Sequence, residues 1–294
     1  MYTFDTNKLK DAVGFTLQLR CWGNRRKADM AQVTTDAEKG RMRLSKELIQ
    51  AEEFDAIKSF FGELRGWVYL RTVPSFFREG FQLASLKAVE EIEARMKKAE
   101  GELKELVDKL IAVYPAKIDE AKAALQSQFN PADYPPEEVL RGTFAIGWNY
   151  VSFSTPDALP PELRKTEAEK LQKQMADAGE QITEALRAGF QELITHAVER
   201  LTPGDDGKSK TFRDSIVGRI QEFLDTFSNR NLLGDKELEA LVGKAQEVLV
   251  GVSPESLRKN AEVRESTLAE FKKISAGLDE FVETRKARRF DLED

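Results

Sequence analysis

The feature that most constrains this chain is a run of apolar residues at alternating spacings of three and four. Val89, Ile92, Met96, Ala99, Leu103, Leu106, Leu110 and Val113 fill the a and d positions of four unbroken heptads. On an α-helix such residues share one stripe, and a stripe repeating every seven residues is the seam of a coiled-coil-like helix. Ser85, just upstream, is a good N-cap because its hydroxyl can accept from a free amide of the first turn. From 85 to 113 the helix would be roughly 43 Å long at 1.5 Å per residue. Pro115 either kinks or ends it, since proline lacks the amide hydrogen and its ring crowds the preceding turn. KIDEAKAALQSQF then continues helically to Phe129. Val89, Ile92, Met96, Leu103, Leu106, Leu110 and Val113 are thus the candidate seam for helix–helix contact.

A second long helix is expected from Pro161 to Leu201, where Leu171, Met175, Ala178, Ile182, Leu186, Phe190, Leu193 and Ala197 recur at helical spacing. It is the natural packing partner of the first. Further helices are expected from Thr211-x-x-Asp214, from Gly234-Asp235, and from Ser253-Pro254, an N-cap with proline at the first helical position. Three such helices can close a bundle.

Strand signals are fewer. Val13, Phe15, Leu17, Leu19 and Cys21 alternate through residues 12–22, and Phe144, Ile146, Trp148 and Tyr150 alternate through 143–153. Two lone strands in a helical protein usually need each other, and whether these two pair stays open. Thr35-x-x-Glu38 has the form of a capping box, and a firmer helix is expected from Ser45 to Leu64. Between Trp67 and Leu83 the pattern is mixed, with Arg78-Glu79-Gly80 as a hairpin turn. The polar stretch 202–210 is the best internal boundary. The expected layout is a mainly α protein: a small α+β head over 1–84 with 137–160 packing on it, a long helical pair over 85–203, and a C-terminal three-helix bundle over 204–294.

Charged residues make up 33% of the 294-residue chain and hydrophobic ones 41%, the mixture of long helices with solvated outer faces. Eighteen Phe argue against disorder, because that apolar surface must be buried somewhere. One Cys cannot form an internal disulfide, and residues 1–20 lack the apolar core of a signal peptide. No window of about 18 apolar residues is present to span a membrane. A cytoplasmic location is expected by elimination.

Counting removes several chemistries. One His and one Cys cannot assemble a His/Cys zinc site. A Ser-His-Asp or Cys-His arrangement would have to use His196, and no G-x-S-x-G nucleophile elbow is present. His196, between Thr195 and Ala197 in a helix, reads as a packing or surface residue. Gly207-Lys208-Ser209 lacks the earlier glycine of a phosphate loop, and Thr stands at 202, so it reads as linker. The acidic runs Glu90-Glu91-Glu93 and Glu100-Glu102-Glu105 flank the seam as solvated faces. Carboxylate chemistry in the head stays open as a third reading, but no catalytic residue, metal or cofactor is assigned.

The net charge of −6 is uneven: residues 1–83 hold 14 basic against 11 acidic residues. Basic and aromatic residues interleave there. Arg20, Trp22, Arg25, Arg26 and Lys27 form one group; Arg65, Trp67, Tyr69 and Arg71 form another, followed by Phe77, Arg78 and Phe81. Such mixtures can track a phosphate backbone and stack bases. The alternative is that the aromatics are the head's core and the arginines its solvated rim. Arg285-Lys286-Ala287-Arg288-Arg289 complements a helix C-terminus and needs no ligand.

LQLRCWGNRRK, REGFQL, the Tyr-Pro at 114–115 and FAIGWNYVSFSTP ahead of the second long helix together resemble an uncharacterised family of phages, prophages and integrative mobile elements. The resemblance covers about the first two-thirds of the chain. Members of that family are often encoded beside a MoxR-type AAA+ ATPase and a von Willebrand A-domain protein, which implies an ATPase assembly as partner. The expectation is a non-enzymatic adaptor or scaffold acting through helical protein–protein contacts, with nucleic-acid binding by the head as the alternative. The oligomeric state stays open, a homo-oligomer included.

Overall fold

The computed structural model describes residues 12–30, 34, 36–75, 80–152, 154–155, 157–203 and 214–290, with Lys39 and residues 281–290 as backbone only. The protein is mainly α. Its chain divides into two compact units: Met1–Gly14, Tyr69–Ala88 and Val151–Asp294 form unit 1, and Phe15–Val68 with Val89–Tyr150 form unit 2. This division differs from the expected one, because the two long helices fall in different units.

Unit 2 holds most of β1 (Ala12–Arg20), β2 (Arg25–Lys27), β3 (Ser45–Glu47) and α1 (Glu52–Tyr69). It also holds most of α2 (Leu86–Leu125), with α3 (Glu137–Gly142) and β6 (Ala145–Val151). β1 and β6 are neighbours in a four-stranded sheet. The basic loop after β1 is partly strand: β2 pairs antiparallel with β3, Arg25 opposite Glu47, Arg26 opposite Lys46 and Lys27 opposite Ser45. The helix expected from Ser45 therefore starts at Glu52, and Leu48 and Ile49 are buried before it begins. It runs on through Trp67, into the stretch of mixed pattern, because Phe54, Ile57, Phe61, Leu64 and Val68 line one buried face at helical spacing.

α2 begins as read: the Ser85 hydroxyl accepts from the Ala88 amide at 3.2 Å. It does not end at Pro115 but continues to Leu125, and Gln126 then adopts a left-handed φ of 46°. Its buried residues are Ala88, Ile92, Met96, Ala99, Leu103, Val107, Leu110, Ile111, Tyr114 and Ala121. Ala88, Ala99, Leu110 and Ala121 stand eleven apart. Eleven residues over three turns is about 3.67 per turn, close to a straight helix, whereas heptads demand 3.5. The heptad stripe therefore drifts off the buried face at both ends. Val89, Leu106 and Val113 are half-buried while Ala88, Val107 and Tyr114 are buried.

Unit 1 contains β4 (Val73–Pro74) and β5 (Phe81–Ser85), antiparallel with Val73 opposite Leu83. Its helices are α4 (Pro161–Leu201), α5 (Asp214–Arg230), α6 (Lys236–Leu249), α7 (Pro254–Lys259) and α8 (Ala261–Phe290). The expected three-helix bundle is a four-helix one: Ile182, Leu186, Phe190, Ile194, Ala197 and Leu201 of α4 join the core formed by α5, α6 and α8. Phe190 stacks on Phe223 with centroids 5.1 Å apart. The physical reason is burial, since α4 has an apolar face that α5 and α6, at 17 and 14 residues, cover along with α8. Ser253 forms a capping box with Ser256, yet α7 stops after one turn and a half. Asn260 intervenes, its Oδ1 accepting from the Glu262 and Val263 amides and starting α8 afresh. Thr35, Arg78, Glu79, the Gly207-Lys208-Ser209 stretch and Thr211 lie outside the described residues.

Candidate functional site

The β2–β3 ribbon sorts the basic residues by face. Alternation puts Arg26 and Lys46 on one side and Arg25, Lys27, Ser45 and Glu47 on the other. The first side is engaged by the protein itself. Lys46 lies 2.8 Å from Asp133, with the two side chains 9% and 16% exposed. Arg26 donates through Nη1 to the carbonyls of Gly23 and Arg25. Arg20, Arg25, Lys27 and Arg65 are exposed, and Arg25 stands opposite an acid, Glu47. Arg71 is half-buried and belongs to unit 1, so the second basic group is divided between the units.

Trp22, the aromatic of the first basic group, is structural. It is 6% exposed, its ring edge-on to Phe54 at 5.9 Å and to Tyr114 at 6.1 Å. A ring so enclosed has no face to offer a base. Trp67 and Phe81 are half-buried, Tyr69 is 49% exposed, and Phe77 and Arg78 lie outside the described residues.

Several polar contacts were invisible in the sequence. The turn after α2 is strapped to the ribbon: Gln128 and Asp29 exchange hydrogen bonds at 2.9 and 3.0 Å, and the Tyr134 hydroxyl donates to the Leu48 carbonyl at 2.9 Å. The Tyr114 hydroxyl donates to the Pro135 carbonyl, and burial pushes its pKa up to about 12. On α2, Glu93 accepts from the Trp148 indole at 2.8 Å and from the Tyr150 hydroxyl at 3.3 Å, with Lys97 at 3.2 Å. The indole bond, then Lys97, hold its carboxyl below the ordinary Glu range. Tyr150 is pushed the other way, up to about 12, by burial and then by Glu93.

Unit 2 has a cleft of about 710 Å³ at the start of α1, where Glu47, Glu52, Glu53 and Asp55 face Lys117. Asn24 lines it too, but its amide is spent on the chain: Nδ2 donates to the Ile49 carbonyl at 2.7 Å and Oδ1 accepts from the Ile49 amide at 2.9 Å. The lining is acidic, with four carboxylates against Lys117. Among the described residues no group of His, Cys, Asp or Glu could hold a metal ion. His196 is half-buried on α4, its Nε2 accepting from Arg200 at 3.4 Å. Cys21 is exposed. The backbone of Arg285–Arg289 is helical, and its side chains lie outside the described residues. No helix among the described residues is long and apolar enough to cross a membrane.

Within the candidate seam, Ile92, Met96, Leu103 and Leu110 are buried in the folded chain, and Val89, Leu106 and Val113 half so. Exposed helical surface is found instead at the start of α4. From Pro161 to Gln174 none of its residues is buried, and Leu163 is 54% exposed. No family model, no curated protein and no solved structure matches this chain.

Proposed function

We propose that the chain is a non-enzymatic adaptor or scaffold that engages a protein partner through exposed helical surface. The observation that supports this best is the first third of α4, where no residue from Pro161 to Gln174 is fully buried, Leu163 is 54% exposed, and Leu171 packs partly against Met175 and Leu233. Such a segment is helical by continuity with the packed helix behind it, so its apolar groups gain most from contact with a partner. In this reading the protein works in the cytoplasm. The resemblance to mobile-element proteins supplies the first partner class to test, a MoxR-type AAA+ ATPase.

A second reading, nucleic-acid binding, draws support from the exposed Arg20, Arg25 and Lys27 and is weakened by the burial of Trp22. One experiment separates the two. The full-length tagged chain is purified from its own cells with and without nuclease, and the co-purifying proteins are identified. A protein retained at the same level in both arms supports the adaptor. Partners that all vanish with nuclease overturn it in favour of the basic surface.

A further inference from the structure

We draw no further inference here: the strongest candidate, the outer edge of strand β6, uncharged from Ala145 to Val151 and exposed from Asn149 onward, carries nothing because nothing in the structure shows what covers it.

Discussion

Asp235 and Arg187 join α6 to α4 through two parallel hydrogen bonds, Nε to Oδ2 at 2.7 Å and Nη2 to Oδ1 at 3.0 Å. The same carboxylate caps α6, its Oδ1 accepting from the Leu238 amide at 3.1 Å. Its side chain is only 7% exposed. Asp235→Ala removes a cap worth about 1 kcal/mol and leaves a half-buried guanidinium short of its partner. The expected loss is roughly 2–4 kcal/mol, read as a lower urea midpoint, with Glu237 retaining part of the charge pairing. A change below about 0.5 kcal/mol contradicts this assignment.

Two glycines on long helices should respond with opposite tendencies. A Cβ at Gly101 in α2 meets no atom within 4 Å, so Gly101→Ala should stabilise by about 0.5–1 kcal/mol through helix propensity alone. A Cβ at Gly179 in α4 falls 2.9 Å from Leu233 Cδ1, and Leu233 is itself buried. Gly179→Ala should therefore forfeit that gain, because overpacking costs about 1–3 kcal/mol. Thermal unfolding of the two variants side by side tests the pair. An equal gain in both would show that Leu233 yields freely.

Trp22 and its basic neighbours should separate sharply. Trp22→Ala opens a cavity among Phe54 and Tyr114 and should cost about 3–5 kcal/mol. Arg25→Ala and Lys27→Ala, both exposed, should each stay within about 0.5 kcal/mol of wild type. Urea unfolding of the three variants distinguishes a core tryptophan from a surface one.

Glu93 gives a pH signature. Its pKa is lowered in the folded chain, so its bonds to Trp148 and Lys97 are present above the ordinary Glu range. They are lost as pH falls through the folded value, which lies below that range. The Trp148 indole proton resonance should titrate with a midpoint below pH ~4.3, the unperturbed Glu value. A midpoint at or above that value contradicts the hydrogen bond. Glu93→Gln should abolish the transition while leaving the indole bonded.

Much of this fold was legible because local chemistry and tertiary demand agree. α4 runs from Pro161 to Leu201 as read, since a Pro-Pro pair opens it and a polar Thr-Pro-Gly stretch follows. Ser85, Asp235 and Ser253 cap helices as their residue types suggest. The phase of the α2 seam was not legible, because 3.5 and 3.67 residues per turn differ by less than the spacing of candidate apolar residues. Leu106 and Val107 both fit a stripe, and only packing chooses Val107. β2 and β3 were hidden for another reason: Arg-Arg-Lys and Ser-Lys-Glu carry no apolar alternation. The ribbon they form is tied down by long-range contacts, Lys46 to Asp133 and Asp29 to Gln128. The candidate surface was missed altogether, since helical periodicity marks what a helix buries and says little about where burial stops.

One substitution tests whether the exposed start of α4 docks a partner. Leu163→Asp alters a side chain that is 54% exposed and belongs to neither core, so the circular dichroism spectrum and unfolding midpoint should match wild type. The measurement is the amount of nuclease-resistant partner retained by this variant relative to wild type. If α4 docks the partner there, retention should fall about tenfold or more, the effect of losing one apolar anchor of roughly 1.4 kcal/mol or above. A folded Leu163→Asp chain that retains its partner in full contradicts the account.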